Sequence, residues 1–397
     1  MTNIEITRAV TVPDPHKIER YRSTPQTGPR ILFFSGGTAL QAVSRDLIQY
    51  THNSVHLITP FDSGGSSAVL RKAFSMPAVG DIRNRLMSLA DSSVLGNPEI
   101  YDFFTHRLSN EASDTELQEE LNQLANGSHP LILAVPYPMR SLIQSAMASL
   151  QSHLPDTFDL RGASLGNLVI AAGYLDNDRH FAPIIYLFSK LAEVRGTVRP
   201  IANVAAELAV KLANGKTVVG QHCITGKEAP PLTSAIKDIW LVDSQEKPTP
   251  VSVAVPNRTA KLIQDSELIC YPMGSFYSSV IANLLPTGVG SAIAQTNCPK
   301  VFIPNTGTDV ELVGRSLAEQ VDTLLFHLKK DAPTSIKTSD VLNLILIDSD
   351  ATRYNGTLNN DKLSREGITV VACDLITNQS SPHIDASVLN RILLSLC

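Results

Sequence analysis

Two short, unbroken apolar runs, each ending in a small-residue loop and followed by a helix-spaced pattern, constrain this chain more than any other feature. Ile31-Leu32-Phe33-Phe34 runs into Ser35-Gly36-Gly37-Thr38, after which Leu40, Val43 and Leu47 recur at helical spacing through Ala39–Tyr50. Val55–Thr59 leads to Phe61-Asp62-Ser63-Gly64-Gly65-Ser66-Ser67 and then to a helix through Leu70 and Phe74. A strand that is apolar at every position is covered on both faces, as strands of parallel sheets are. Repeated strand–loop–helix units therefore predict a Rossmann-like, doubly wound α/β fold, with a mainly parallel sheet and a ligand at the carboxyl ends of its strands.

The rest of the chain fits around that unit. Residues 1–28, which carry Pro13, Pro15 and Pro25, read as an N-terminal extension, and 29–397 as a single domain. Leu117–Leu124, Leu142–Leu150 and Leu165–Leu175 repeat apolar residues at helical spacing, which makes residues 80–195 largely helical and places a helical insertion over about 92–160. Near residue 200 the apolar period shortens towards two. Asn214-Gly215, between Ala206–Leu212 and Lys216–Val219, predicts a hairpin whose two turn positions both take positive φ, inside a small antiparallel part over about 202–255. Parallel-type strands return at Leu268–Cys270, Val301–Ile303, Leu344–Ile347 and Ile368–Val371, and Ser387–Leu396 closes the chain as a helix. Gly288-Val289-Gly290 reads as a loop, and Lys329-Lys330 as a solvated helix end.

Composition removes several function classes. With 33 Lys+Arg against 38 Asp+Glu the net charge is −5, which gives no bulk attraction to nucleic acid or to an anionic membrane. Hydrophobic residues at 43 % and charged ones at 18 % supply ample core and exclude general disorder. The longest apolar stretches, Asn167–Leu175 and Val341–Ile347, fall short of the roughly 18 residues a membrane span needs. The five cysteines are odd in number, far apart and without a C-x-x-C, which fits neither a disulfide framework nor a thiolate zinc site. The start MTNIEITRAVTVPDPHK has no apolar signal segment, and the expected location is cytoplasmic.

The chemistry-bearing residues sit in the loops. Glycines let backbone N–H groups approach an anion, and a helix N-terminus favours phosphate, so Gly36, Gly37 and Thr38 are candidate phosphate ligands. Alone they are better explained as a tight strand–helix turn. Asp62 with Gly64, Gly65 and Ser66 is a stronger signal: amides and hydroxyls suit phosphate oxygens, and a lone carboxylate suits a hydrated Mg²⁺. Gly80-Asp81-Ile82-Arg83-Asn84 opens another helix, with Asp81 either an N-cap or a metal ligand and proton acceptor. There Arg83 supplies positive charge beside a diphosphate and Asn84 donates to a ligand oxygen. Gly162-Ala163-Ser164-Leu165-Gly166-Asn167 and Gly274-Ser275-Phe276-Tyr277-Ser278-Ser279 repeat the theme, adding Asn167, Gly274 and Ser275. Several such helix starts on one edge would form an anion pocket without net positive charge. His52 and His56, on or beside a strand, read as core or surface histidines.

The order SGGT, DSGGSS before an Arg-bearing helix, GDIRN, GASLGNL and GSFYSSVIANLL resembles the CofD/YvcK-like family over Ile31 to the C-terminus. That family unites 2-phospho-L-lactate transferases of deazaflavin-coenzyme synthesis with UDP-sugar-binding regulators of gluconeogenesis and cell shape. This chain has Ala39 where the family commonly has a further glycine, Ser63 where it often has an acid or amide, Pro272-Met273 where it has G-P, and Ala78-Val79 where it has paired prolines. These departures mark a divergent branch. The resemblance implies a homodimer that binds a GDP- or UDP-linked conjugate by its diphosphate, with Mg²⁺ held by Asp62 and Asp81. A carboxylate pair among hydroxyl-rich loops favours a Mg²⁺-dependent transferase that moves a phospho-linked group to an acceptor hydroxyl, with Asp62 and Asp81 as its catalytic residues. The alternative is a non-catalytic UDP-sugar-binding regulator of the YvcK type.

Overall fold

A computed structural model describes residues 9–91, 96–226 and 229–397. Residues 1–8 of the extension, the insertion boundary at 92 and positions 227–228 of the antiparallel part lie outside the described residues.

Among the described residues ten strands form two sheets: β1 Ile31–Ser35, β2 Val55–Ile58, β3 Thr197–Pro200, β4 Glu207–Leu212, β5 Thr217–Val219, β6 Ile236–Val242, β7 Leu268–Tyr271, β8 Lys300–Phe302, β9 Leu344–Asp348 and β10 Thr369–Cys373. The larger sheet runs β10-β9-β8-β7-β1-β2-β3, with every pair parallel. The fold is thus the α/β, Rossmann-like arrangement expected. Its strand order reverses at β1, which lies between β7 and β2, so the crevice at the carboxyl end of β1 is the topological switch point where such sheets take their ligands.

The unbroken apolar runs have the expected cause. Leu32 and Phe34 face one buried layer together with Ile269, Tyr271 and Phe302. Ile31 and Phe33 face the other, with Leu268, Val301 and the C-terminal helix Ala386–Leu396. On this second layer His56 is buried, stacks on Phe33 and is hydrogen-bonded to Ser54 (3.2 Å); burial pushes its pKa well down, as befits a core histidine. Helix α1 (Pro15–Ser23) in the extension packs on the same layer through Ile18 and Tyr21, and Lys17 Nζ donates to the Ser395 carbonyl at 2.9 Å.

Next come α2 (Gln41–Leu47), α3 (Gly65–Phe74) and α4 (Gly80–Ser88), followed by a helical layer of α5 (Pro98–Thr105), α6 (Asp114–Asn126), α7 (Pro130–Ala134), α8 (Met139–His153), α9 (Leu165–Asp176) and α10 (Phe181–Leu191). These bury a core of their own around Phe103, Phe104, Leu168 and Phe188. The antiparallel part is the three-stranded sheet β5-β4-β6. Its turn differs from expectation: Gly215 alone has positive φ (88°), while Gly215 N donates to Leu212 O and Leu212 N to Lys216 O. That is the longer hairpin loop with glycine in the left-handed position, not a two-residue turn. Gly288-Val289-Gly290 also differs. It opens a short helix, Val289–Ala294, which passes close to the Leu328 carbonyl beside Gly290.

Candidate functional site

The carboxyl ends of β1, β2 and β7 surround a cavity of about 290 Å³. Gly36, Gly37 and Thr38 enter it from the β1 loop, Asp62, Gly64, Gly65 and Ser66 from the β2 loop, Asp81, Arg83 and Asn84 from α4, Asn167 from α9, and Gly274 and Ser275 from the β7 loop. All the site residues expected from the sequence therefore meet around one space, although five separate stretches of chain supply them.

Buried arginines shape the two principal loops. Arg85, 1 % exposed, donates to the carbonyls of Leu40 (2.9 Å), Gly36 (3.1 Å) and Gly37 (3.3 Å) and to Ser44 Oγ (2.5 Å). Holding both glycine carbonyls on the buried side fixes the orientation of the β1 loop against its neighbours. Burial pulls the Arg85 pKa down to about 10, and the Asp81 carboxylate opposes that shift. Arg71 does the equivalent work for the β2 loop, donating to Asp62 O (2.8 Å) and Phe61 O (3.3 Å) while paired with Glu207 at 2.8 Å. Sequence reasoning passed over Arg85. The available signal was an arginine on the apolar stripe of Ile82, Leu86 and Leu89, where a charge needs buried partners.

The two aspartates sit differently. Asp62 Oδ1 accepts the Gly64 N–H at 3.1 Å, and its carboxylate also lies beside Gly80. Asp81 lies against the β1 loop, its oxygens 3.3 Å from where a Cβ on Gly36 or Gly37 would stand. Two carboxylates with Thr38 and Ser66 hydroxyls nearby form the sparse oxygen set that suits a Mg²⁺ carried in on a diphosphate, so these residues fit that ion. Among the described residues no three His, Cys, Asp or Glu side chains converge into a closed metal cage.

The β7 loop is closed in a way the sequence did not suggest. It leads into a π-helix, Phe276–Ile281, whose first amides are taken by the chain's own acids. Phe276 N donates to Asp309 (2.8 Å), Tyr277 N and Ser278 N to Glu311 (2.8 and 2.9 Å), and Ser278 Oγ also donates to Glu311. This helix start is therefore not an open anion site, and the segment reaches the cavity through Gly274, Ser275, Ser279 and Val280. Burial, reinforced by Asp309, pushes the Glu311 carboxyl up from 4.5 to about 7. The folded protein then binds a proton there that the unfolded chain has already released. Its stabilising contribution is complete below about pH 4.5 and is lost as pH rises through about 7. Melting temperatures of the wild type and Glu311→Gln, compared from about pH 5 to about pH 8, should show the wild type falling relative to the variant as pH rises. A pH-independent difference would refute the assignment.

Other residues at the cavity carry no sequence signal, because they come from irregular chain. Arg107 follows α5, while Gln221, His222 and Thr225 belong to or follow α11 (Gln221–Ile224), the turn after β5. His222 Nδ1 meets Ser63 Oγ at 2.8 Å, and His222 N donates to the same oxygen at 3.3 Å. Ser63 is thus tied to α11 and does not line the cavity. Ala39 and Gly274 come together, the Ala39 methyl 3.3 Å from where a Gly274 Cβ would be, so the departure at Ala39 lies directly beside the one at Met273.

Comparison with known proteins bears on the fold and the family. The gluconeogenesis factor of Bacillus subtilis is 29 % identical over 301 residues, which cover 76 % of this chain and 75 % of that protein. That of Listeria monocytogenes is 23 % identical over 376 residues, 94 % of this chain and 97 % of its own. A crystal structure of a UPF0052 family member from Bacillus halodurans superposes with a TM-score of 0.65 at 23 % identity, covering 93 % of this chain and 99 % of that one, which supports the fold. No helix among the described residues is long and apolar enough to cross a membrane. The family model described as 2-phospho-L-lactate transferase CofD matches residues 31–388, and the chain belongs to that family.

Proposed function

We propose that the protein binds a GDP- or UDP-linked conjugate in the cavity at the β7–β1–β2 crevice, with the diphosphate on the β1 and β2 loops, and holds it unchanged as a regulatory ligand. One observation carries this: five separated stretches bring glycines, hydroxyls and amide side chains together at the switch point of the sheet, over a cavity about 290 Å³ in volume. Two further facts favour retention over turnover. The relatives reported above are named gluconeogenesis factors. Ser63, standing where the family often has another acid, is bonded to His222 outside the cavity lining, which leaves two carboxylates at the rim.

Those two carboxylates favour a second reading, in which the conjugate is a donor. An acceptor hydroxyl oxygen bonds to the distal phosphorus, the bond to the bridging oxygen breaks, and a nucleoside monophosphate leaves. The hydroxyl proton passes to Asp62 or Asp81. Mg²⁺, held by the same two residues, would neutralise charge on the diphosphate. The loops' part is positioning and dipolar stabilisation.

A thermal-shift panel of GDP, UDP, GDP-mannose and UDP-glucose, with and without Mg²⁺, tests binding, since a ligand at about 100 times its Kd stabilises the native state by about 2.7 kcal/mol. Phosphorus NMR of the same mixtures, with a hydroxyl-bearing deazaflavin added as acceptor, then separates the readings. Stabilisation with an unchanged conjugate spectrum is expected. Release of nucleoside monophosphate that Asp62→Asn abolishes would establish transfer instead. No stabilisation by any member of the panel would contradict both.

A further inference from the structure

Four of the five cysteines are buried or half-buried thiols held away from ionisation. Burial pushes up the pKa of Cys270, Cys298, Cys373 and Cys397, for Cys298 to about 11. Cys223 is placed differently. It is half-buried on α11, and its Sγ lies 3.2 Å from Nε2 of the neighbouring His222. The other ring nitrogen, Nδ1, meets Ser63 Oγ at 2.8 Å, and the same oxygen accepts the His222 N–H at 3.3 Å. A thiol, an imidazole in contact with it and a hydroxyl that orients the imidazole are the three parts of an activated cysteine.

The fold builds this arrangement from distant stretches. Ser63 comes from the β2 loop and is 6 % exposed, so the imidazole is pinned to a buried group. Gly220, in the left-handed region at φ 96°, makes room for the ring: an added Cβ would stand 2.7 Å from His222 Cε1 and 3.0 Å from Nδ1. Of the charges nearby, Glu207 acts on His222 and favours its cationic form, while Arg71 and Asp62 act on Glu207 in opposite senses. With Nδ1–H directed to Ser63 Oγ, an imidazolium holds its second proton against the thiolate.

We propose that Cys223 is a modification site, which forms a mixed disulfide with low-molecular-weight disulfides and thereby closes the conjugate cavity; the second half rests on the function proposed above. His222 Nε2 takes the thiol proton. The Sγ thiolate bonds to one sulfur of the disulfide and the S–S bond breaks. The departing thiolate takes the proton from the imidazolium and leaves as a free thiol. The adduct occupies the Nε2 side of the ring, and Gly220 backs the ring at Cε1 and Nδ1. The ring therefore gives way towards the cavity, whose wall it already forms with Asp62, Gly64 and Thr225. Its bond to Ser63 is lost at the same time, which frees the β2 loop between Asp62 and Gly64. Conjugate binding falls while the thiol is capped and returns when it is reduced.

The test treats the full chain with oxidised glutathione at about pH 7 and maps adducts by peptide mass spectrometry, with Cys373, the half-buried thiol on β10, as internal reference. Cys223 should be capped about tenfold faster than Cys373. His222→Asn should slow capping of Cys223 by about tenfold and leave that of Cys373 unchanged. Ser63→Ala should slow it in the same sense and serves if His222→Asn folds poorly. Titration of UDP or GDP before and after treatment reads the second half. The capped wild type should bind about tenfold more weakly and dithiothreitol should restore the affinity, whereas Cys223→Ser should bind equally with and without treatment. A Cys223 rate equal to that of Cys373, or one that neither variant slows, overturns the activated thiol. Rapid capping with unchanged affinity overturns the closure and leaves the proposed function standing. Absence of nucleotide binding by the untreated protein removes the proposed function and the closure together, while the capping rates still decide the site.

Discussion

Replacing Arg85 with methionine is expected to destabilise the protein by about 4 kcal/mol and to weaken nucleotide binding by about tenfold or more. The guanidinium is buried with four acceptors around it, three of them backbone carbonyls of the β1 loop and the start of α2. Methionine keeps much of the volume but leaves the carbonyls of Gly36, Gly37 and Leu40 facing an apolar group, and an unsatisfied buried acceptor costs about 1–3 kcal/mol. Removing the cation also takes away one of the positive charges that interact with Asp81. With an unfolding entropy of about 2.1 cal/mol/K per residue, the melting temperature should fall by about 5 °C. Calorimetric unfolding together with titration of UDP or GDP checks both effects. A variant that melts like the wild type and binds normally would show that the loop does not depend on this arginine.

The second large effect is expected from Gly36→Ala, this time on binding with much less on stability. A methyl at this position would stand 2.4 Å from Ser279 Oγ, 3.0 Å from Ser279 Cβ and 3.3 Å from Asp81 Oδ2. Ser279 cannot easily yield, because it belongs to the π-helix whose first turn is fastened by Asp309 and Glu311. The glycine loop must move instead, and its amides turn away from the anion they are meant to meet. Affinity for the nucleoside diphosphate should fall by about tenfold or more. Ser279→Gly in the same chain removes the obstructing atoms and should restore most of the loss, a coupling that independent sites would not show. Equal losses in the single and double variants would mean that close approach at Gly36 is not what the site requires.

Much of this arrangement was legible in the residues because it depends on local chemistry. An apolar run with no polar position, such as Ile31–Phe34, has to be covered on both faces, and glycine-rich loops after such runs have to sit at the strand ends. Hence the parallel sheet, and the placing of the Gly36, Asp62 and Gly274 loops at strand ends, followed from pattern, whereas the Asp81 and Asn167 stretches, which open helices with no apolar run before them, joined that site through the family resemblance. What stayed hidden depends on contacts distant in sequence. Nothing near Ser278 announces that Glu311 will take its amide, so a helix start that looked open to anions is closed from within. Arg107 and His222 arrive from irregular segments whose course is set by packing of the insertion and of α11. Strand β3 and the helix Asn257–Gln264 also went unread, since four residues beside a proline and a short polar helix give little periodic signal.

A crystal structure of the protein with UDP or GDP bound tests the central claim most directly. The diphosphate oxygens are expected within about 3.2 Å of backbone N–H groups in the Gly36–Thr38 and Gly65–Ser66 loops. A nucleotide seated elsewhere, or one whose phosphates face solvent while these amides bond to protein atoms, would contradict it.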